Sequence, residues 1–172
     1  MKRILDQEQI KRSINRISNE ILERNENYED LIFFGIINRG DYIAKRLSKK
    51  IFEIEGVNIP VYQLNTRMFR DDLLEINRND FKIDLPEVDI KGKTVILVDD
   101  VMYTGRTARA AIDAIIKMGR PGKIQLVTLI DRGHRELPIR PDYVGKNIPT
   151  SRKEIVGVKL LEIDGIDEVT IK

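Results

Sequence analysis

The chain has 172 residues, 41% hydrophobic and 34% charged, which suits one packed domain spanning 1–172 and excludes a disordered chain. Its 30 lysines and arginines stand against 28 aspartates and glutamates, so a histone-like polycation is excluded, though a nucleic-acid partner is not, because binding depends on where charge sits. The chain has no cysteine and one histidine, which excludes disulfides, thiolate chemistry and a multi-histidine metal site; no apolar run approaches the ~20 residues of a membrane span, and the amino terminus lacks the apolar core of a signal peptide, so a cytoplasmic protein with no membrane partner is expected.

Asp6, with Gln9 three residues on, forms the pattern of a capping box. Ile10, Ile14, Ile17 and Ile21 follow at helical spacing and predict a helix with one buried face. Leu31 to Ile37 is a continuous apolar run, as expected of a strand buried on both faces of a parallel sheet. Asn38-Arg39-Gly40 follows it, then a helix over 41–51 and a strand over 59–64. The polar segment 66–86 lacks periodicity and is expected to be a long excursion, a flexible loop or hairpin over a site. A strand over 94–98, a loop over 99–107, a helix ended by Gly119 and a strand over 123–130 complete an α/β order with a mostly parallel central sheet flanked by helices. Ligands in such sheets sit at the carboxyl ends of strands, which points to residues 38–40 and 99–107.

The second of these places carries the chemistry. An apolar strand delivers the adjacent carboxylates Asp99 and Asp100, and a loop with Thr104, Gly105 and Thr107 opens a helix. A helix start offers unpaired N–H groups and the positive end of a dipole, which suits a phosphate, while glycine admits close backbone approach. The carboxylates would repel that phosphate; they suit sugar hydroxyls or a hydrated Mg²⁺ instead. Together the two features suggest a sugar phosphate. Two acids after a strand are common and Thr-Gly is ordinary helix capping, so the specific signal is the whole ordered string. A phosphoryl-accepting receiver domain carries its acid pair after the first strand, whereas this pair lies past the middle of the chain. No GxxxxGK[ST] or GxSxG is present, which disfavours a P-loop NTPase and a serine hydrolase.

VILVDDVMYTGRT resembles the phosphoribosyl-pyrophosphate (PRPP) signature of the type I phosphoribosyltransferases. DRGHRELPIR at 131–140, YVGKNIPTS at 143–151, IKRSINRISNEILERN and GIINRG extend the resemblance over almost the whole chain to the bifunctional pyrimidine-operon attenuation regulator/uracil phosphoribosyltransferase family. The resemblance implies the type I phosphoribosyltransferase fold and the reaction of uracil with PRPP to UMP and pyrophosphate. Asp99 and Asp100 would hold the ribose hydroxyls, with Val101, Met102, Tyr103, Thr104, Gly105, Arg106 and Thr107 continuing the site around the 5′-phosphate. Asn38, Arg39 and Gly40 match the pyrophosphate loop, with Asn38 where relatives often have threonine. Arg70, Asp71 and Asp72 match the catalytic loop, with Arg70 expected to be catalytic beside Asp99 and Asp100. Asp131 and Arg132, with Ile155, Val156 and Gly157, would border the base. Mg²⁺ is implied, held mainly through PRPP or pyrophosphate rather than by a protein metal site. His134 is expected on the surface rather than as a catalytic base.

The resemblance also implies binding of pyrimidine-operon leader mRNA, dependent on UMP, and a homodimer or higher homo-oligomer. Arg12, Arg16 and Asn19 lie opposite the isoleucine stripe of the first helix, flanked by Lys11 and Asn15, although a solvated helix face looks the same. Residues 132–153 hold six basic and two acidic residues, a local charge of +4, whereas 154–172 hold five acids and two lysines, a charge of −3. A basic patch attracts phosphates, and the expected RNA-binding residues are Lys11, Arg12, Arg16, Arg135, Arg140, Lys146 and Arg152. The alternative is a salvage phosphoribosyltransferase without RNA regulation, for uracil or another base, whose basic face is incidental; a nucleotide sensor that has lost useful catalysis is a third reading.

Overall fold

A computed structural model describes residues 1–72 and 84–172. A five-stranded parallel sheet of order β3-β2-β4-β5-β6 forms its centre: β2 is Leu31–Ile36, β3 Val61–Leu64, β4 Thr94–Met102, β5 Lys123–Asp131 and β6 Tyr143–Asn147. Helices α1 (Gln7–Arg24), α2 (Gly40–Glu55) and α3 (Arg106–Met118) flank it. β2 and β4 are buried on both faces. Leu31 and Phe33 join Ile96 and Val98 in one core with α1 and α2, while Ile32, Phe34 and Ile36 join Val95 and Leu97 in another beneath α3. Strand alternation therefore divides two apolar runs between two cores. The isoleucine stripe of α1 is buried as its spacing predicts, and the Asp6–Gln9 capping box is formed in both directions.

Four features differ from the sequence expectation, the first being the fifth central strand, β6, which was not expected. β4 continues through Asp99 and Asp100 to Met102, because Asp99, Val101 and Met102 find partners at Thr128, Ile130 and Asp131 of β5. A second, antiparallel sheet of order β1-β8-β7 joins Lys2–Leu5 (β1) to Val156–Lys159 (β7) and Glu168–Ile171 (β8). A four-residue strand has little local signal, and β1 exists through pairing with the opposite end of the chain. Within 66–86, residues 67–69 form a 3-10 turn, and the expectation of a hairpin falls mainly on 73–83, outside the described residues. Among the described residues no helix is long and apolar enough to cross a membrane.

The short helix α4 (Leu161–Asp164) links β7 to β8 and docks on α2 through Arg46, whose guanidinium reaches Glu162 at 2.5 Å and Asp167 at 2.7 Å. Burial opposes the charge on Arg46, but the two carboxylates outweigh it and raise its pKa. Arg46→Ala leaves Asp167, 8% exposed, without its cation, and is expected to lower unfolding free energy by about 1–3 kcal/mol in urea titration. A value near zero would mean that these carboxylates do not depend on Arg46.

Candidate functional site

The parallel order puts the carboxyl ends of β2, β3 and β4 on one edge, where two turns meet the acid pair of β4. The first is Asn38-Arg39-Gly40, entered through a cis Ile37–Asn38 peptide and leading into α2. Two glycines set how close it lies. A Cβ on Gly40 would stand 2.1 Å from the Val98 carbonyl oxygen, and one on Gly35 would stand 2.2 Å from Asp41 Cα. The start of α2 therefore rests directly on β2 and β4.

Asp99 and Asp100 form the centre. Asp99 Oδ1 accepts the Asp100 N–H at 3.0 Å, and Asp100 Oδ1 accepts the Val101 N–H at 2.8 Å. Burial pushes the Asp99 carboxyl well above the ordinary range, and the charge of Asp100 adds to it. Burial also raises Asp100, opposed by the Val101 N–H and by Arg39. Both groups are thus poised to accept hydrogen bonds or positive charge.

The second turn is the cradle. Gly105 takes φ +95°, a left-handed conformation that glycine adopts at no steric cost, and it opens α3. Thr104 Oγ accepts the Arg106 N–H at 3.3 Å, and the Thr104 carbonyl accepts the Glu136 and Leu137 N–H groups. Arg106 spans Glu136 at 3.0 Å and Asp71 at 3.1 Å. Arg70 donates to Thr107 Oγ at 3.2 Å and pairs with Asp72.

Two cavities flank the acids. One, of about 540 Å³, lies toward Asn38 and the end of β3; the other, of about 350 Å³, lies over Tyr103 to Ala108. They share Arg70, Asp99, Val101 and Thr107, so they form one trough along the acid pair. Asn65, Thr66 and Arg67 border the larger cavity and Glu136 the smaller; the sequence reading did not include them. The first three follow directly on β3, so the strand-end rule would have found them had it been applied to that strand.

The other expected site residues have different surroundings. Met102 is buried in the α3-side core and Val101 packs toward the other, although both border the trough. Arg132 is 7% exposed. It donates to Thr150 Oγ and to the carbonyls of Ser151 and Glu154, and its guanidinium lies 4.1 Å from the Tyr103 ring centroid. Val156 begins β7, which abuts β4, and Ile155 exchanges backbone hydrogen bonds with Lys172. Arg39 pairs with Asp164 of α4 at 3.1 Å, and its buried Nε has no partner among the described residues. No group of three histidine, aspartate or glutamate side chains among the described residues is arranged to hold a metal ion.

The basic residues also divide. Lys11, Arg12, Arg16, Arg140, Lys146 and Arg152 are exposed. Arg16 donates to Glu20 and to the Val144 and Gly145 carbonyls at 2.9 and 2.6 Å, which sets the face of α1 beside Lys146. Arg135 is turned inward, onto Asp131 and the carbonyls of Tyr103 and Ile139. With Arg132, His134 and Arg140 it borders a third cavity of about 430 Å³ beyond β5. His134 is partly buried, with Nε2 2.5 Å from the Thr150 carbonyl oxygen.

The phosphoribosyl transferase domain model matches residues 1–163. The chain is 54% identical to the bifunctional protein PyrR of Halalkalibacterium halodurans over 98% of this chain and 96% of that one. It is equally 54% identical to the pyrimidine operon regulatory protein of Lactococcus lactis, covering 99% and 96%. Among solved structures, the hypoxanthine phosphoribosyltransferase of Trypanosoma cruzi matches with a TM-score of 0.75 at 17% identity, over 99% of this chain and 95% of that one. A hypoxanthine-guanine phosphoribosyltransferase from Bacillus anthracis matches at 0.71 and 18%, over 100% and 97%. At such identities the structural likeness speaks to the fold alone, which is the type I phosphoribosyltransferase fold that the sequence resemblance implies.

Proposed function

We propose that this chain, which belongs to the phosphoribosyl transferase family, is a uracil phosphoribosyltransferase that also binds pyrimidine-operon leader mRNA when UMP occupies its site and so promotes transcription attenuation. The observation that carries the enzymatic reading is the trough itself: an acid pair between a cationic loop and a Thr-Gly cradle. The regulatory reading rests on the names of the close relatives, bifunctional protein PyrR and pyrimidine operon regulatory protein.

In this reading the smaller cavity takes the 5′-phosphate at the start of α3, where N–H groups and the helix dipole favour an anion. Asp99 and Asp100 hold the ribose 2′ and 3′ hydroxyls. Pyrophosphate lies in the larger cavity, beside Asn38, Arg39 and Gly40. Uracil N1 then bonds to the anomeric carbon and gives up its proton, as the bond from that carbon to the pyrophosphate oxygen breaks and pyrophosphate leaves with the electron pair. The acid pair stabilises positive charge developing on the ribose, while Arg39 and Arg70 stabilise the departing anion. Two adjacent carboxylates fit a hydrated Mg²⁺ that enters on the phosphates; the ion would supply further charge neutralisation to the leaving group. Arg132 and Val156 border the base. Burial of the Arg132 guanidinium gives it a positioning task, holding 150–154 against β5, in place of free contact with solvent.

For RNA, exposed Lys11, Arg12, Arg16, Arg140, Lys146 and Arg152 supply the phosphate contacts, with Arg135 shaping the surface. The protein acts in the cytoplasm as a single domain over 1–172, assembled as a homodimer or larger homo-oligomer that multiplies the basic face.

Nucleotide formation from PRPP is expected with uracil and not with hypoxanthine or guanine. Leader RNA is expected to bind more tightly with UMP present, and by linkage RNA tightens UMP equally. Equal RNA affinity with and without UMP would remove the switch and favour the salvage enzyme. RNA binding without UMP formation would favour the sensor.

A further inference from the structure

We propose that Arg67 contacts the pyrophosphate end of PRPP, a role in addition to the loop Asn38-Arg39-Gly40; the assignment rests on the transferase reading above. Pyrophosphate carries several negative charges and, in this reading, occupies the cavity that also holds two buried carboxylates. Cations must therefore outweigh the acids at that end of the trough. Arg67 and Arg70 line that cavity, and Arg70 and the arginines of the neighbouring turns share their charge. Arg39 faces Asp164, Arg70 pairs with Asp72, and Arg106 spans Asp71 and Glu136. Arg67 borders the same cavity and forms no ion pair among the described residues.

Its backbone is held on both sides. The Arg67 N–H donates to Asn65 Oδ1 at 3.1 Å, and the Arg67 carbonyl accepts the Arg70 N–H at 3.3 Å. Thr66 before it is buried, and its carbonyl accepts the Phe69 N–H at 3.0 Å. A side chain on a fixed turn, at the mouth of a polar cavity, can meet an anion without reordering the backbone. Arg67 borders only the larger cavity, on the Asn38 side of the acids, and is absent from the one over the Thr-Gly cradle. It therefore distinguishes ligands: PRPP and pyrophosphate reach it, whereas UMP, which has no pyrophosphate, does not.

The test uses the full-length protein, with Arg67→Ala and Arg67→Lys beside wild type. Calorimetry with magnesium pyrophosphate and with UMP is paired with steady-state rates against PRPP. Arg67→Ala is expected to weaken pyrophosphate binding and raise the KM for PRPP roughly five- to twentyfold, as for loss of one charge-assisted contact near solvent, with a smaller change in kcat. UMP affinity should not move, and Arg67→Lys should recover much of the loss. Unchanged pyrophosphate affinity in Arg67→Ala overturns the assignment while leaving the transferase reading intact. Equal losses for UMP and pyrophosphate overturn it too, because they indicate damage to the fold. Wild-type protein that binds neither PRPP nor pyrophosphate overturns both readings.

Discussion

Asp99→Asn is expected to lower the rate of UMP formation by roughly 10²–10³-fold, as for removal of one preorganised charge contact, and to make the unliganded protein more stable at neutral pH. The two effects have one cause. Asp99 is 9% exposed and has a second carboxylate beside it, and burial with that charge raises its pKa well above the ordinary value. A folded-state pKa above the unfolded one means that the folded protein holds a proton the unfolded chain releases. Stability then falls as pH rises from the unfolded value of about 3.9 toward the folded one, and the cost is fully present above that window. The carboxamide of the variant retains an oxygen for the Asp100 N–H without the charge. The stabilisation of the variant should therefore be small near pH 4 and reach about 2 kcal/mol, near 6 °C in Tm, at pH 8. Thermal melts of both proteins across that range measure it. A Tm difference independent of pH would mean that the buried carboxyl is not the source.

Gly40→Ala is expected to be among the most damaging single-methyl changes in the described chain. The added carbon would stand 2.1 Å from the Val98 carbonyl oxygen and 3.2 Å from Asp99 Cα, and a strand between two others cannot retreat. The helix must move instead, at a cost of about 3 kcal/mol or more, or a fall of some 6–12 °C in Tm. Because α2 begins at this residue, Asn38 and Arg39 move with it and the KM for PRPP rises as well. Gly56→Ala is the control. Gly56 ends α2 at φ +71° with nothing within 4 Å of the added carbon, so only the left-handed backbone resists, at about 1 kcal/mol. Similar losses for the two variants in urea titration would show that steric contact with β4 is not what Gly40 avoids.

Four of the five central strands were legible because their signals are local, whereas β6 was not read from the sequence. LIFFGI and TVILV are apolar without a break, as strands covered on both faces must be, and the isoleucines of α1 keep helical spacing against one core. The trough was legible for a related reason. A parallel sheet brings strand ends to one edge, so residues 38–40 and 99–107 could be paired before any contact was known. Arg67 was missed although it follows β3, because the polar segment after it showed no period and was treated as one loop.

Residue types and their spacing along the chain thus determined the α/β order, the acid pair beyond a buried strand and the glycines at tight turns, since each depends on neighbours a few positions away. Tertiary structure alone decided which charges remain available. Arg39 meets Asp164 from 125 positions along the chain, and Arg135 folds back on Asp131. Arg16 spans 129 positions to the Gly145 carbonyl, which brings the basic face of α1 beside Lys146 and makes two separate basic stretches neighbours. The strand β1 and the full length of β4 likewise depend on distant partners at β8 and β5. Hydrogen bonds and ion pairs act over a few ångströms of space whatever the separation in sequence, so a net charge of +2 could not show where an anion would find an uncommitted cation.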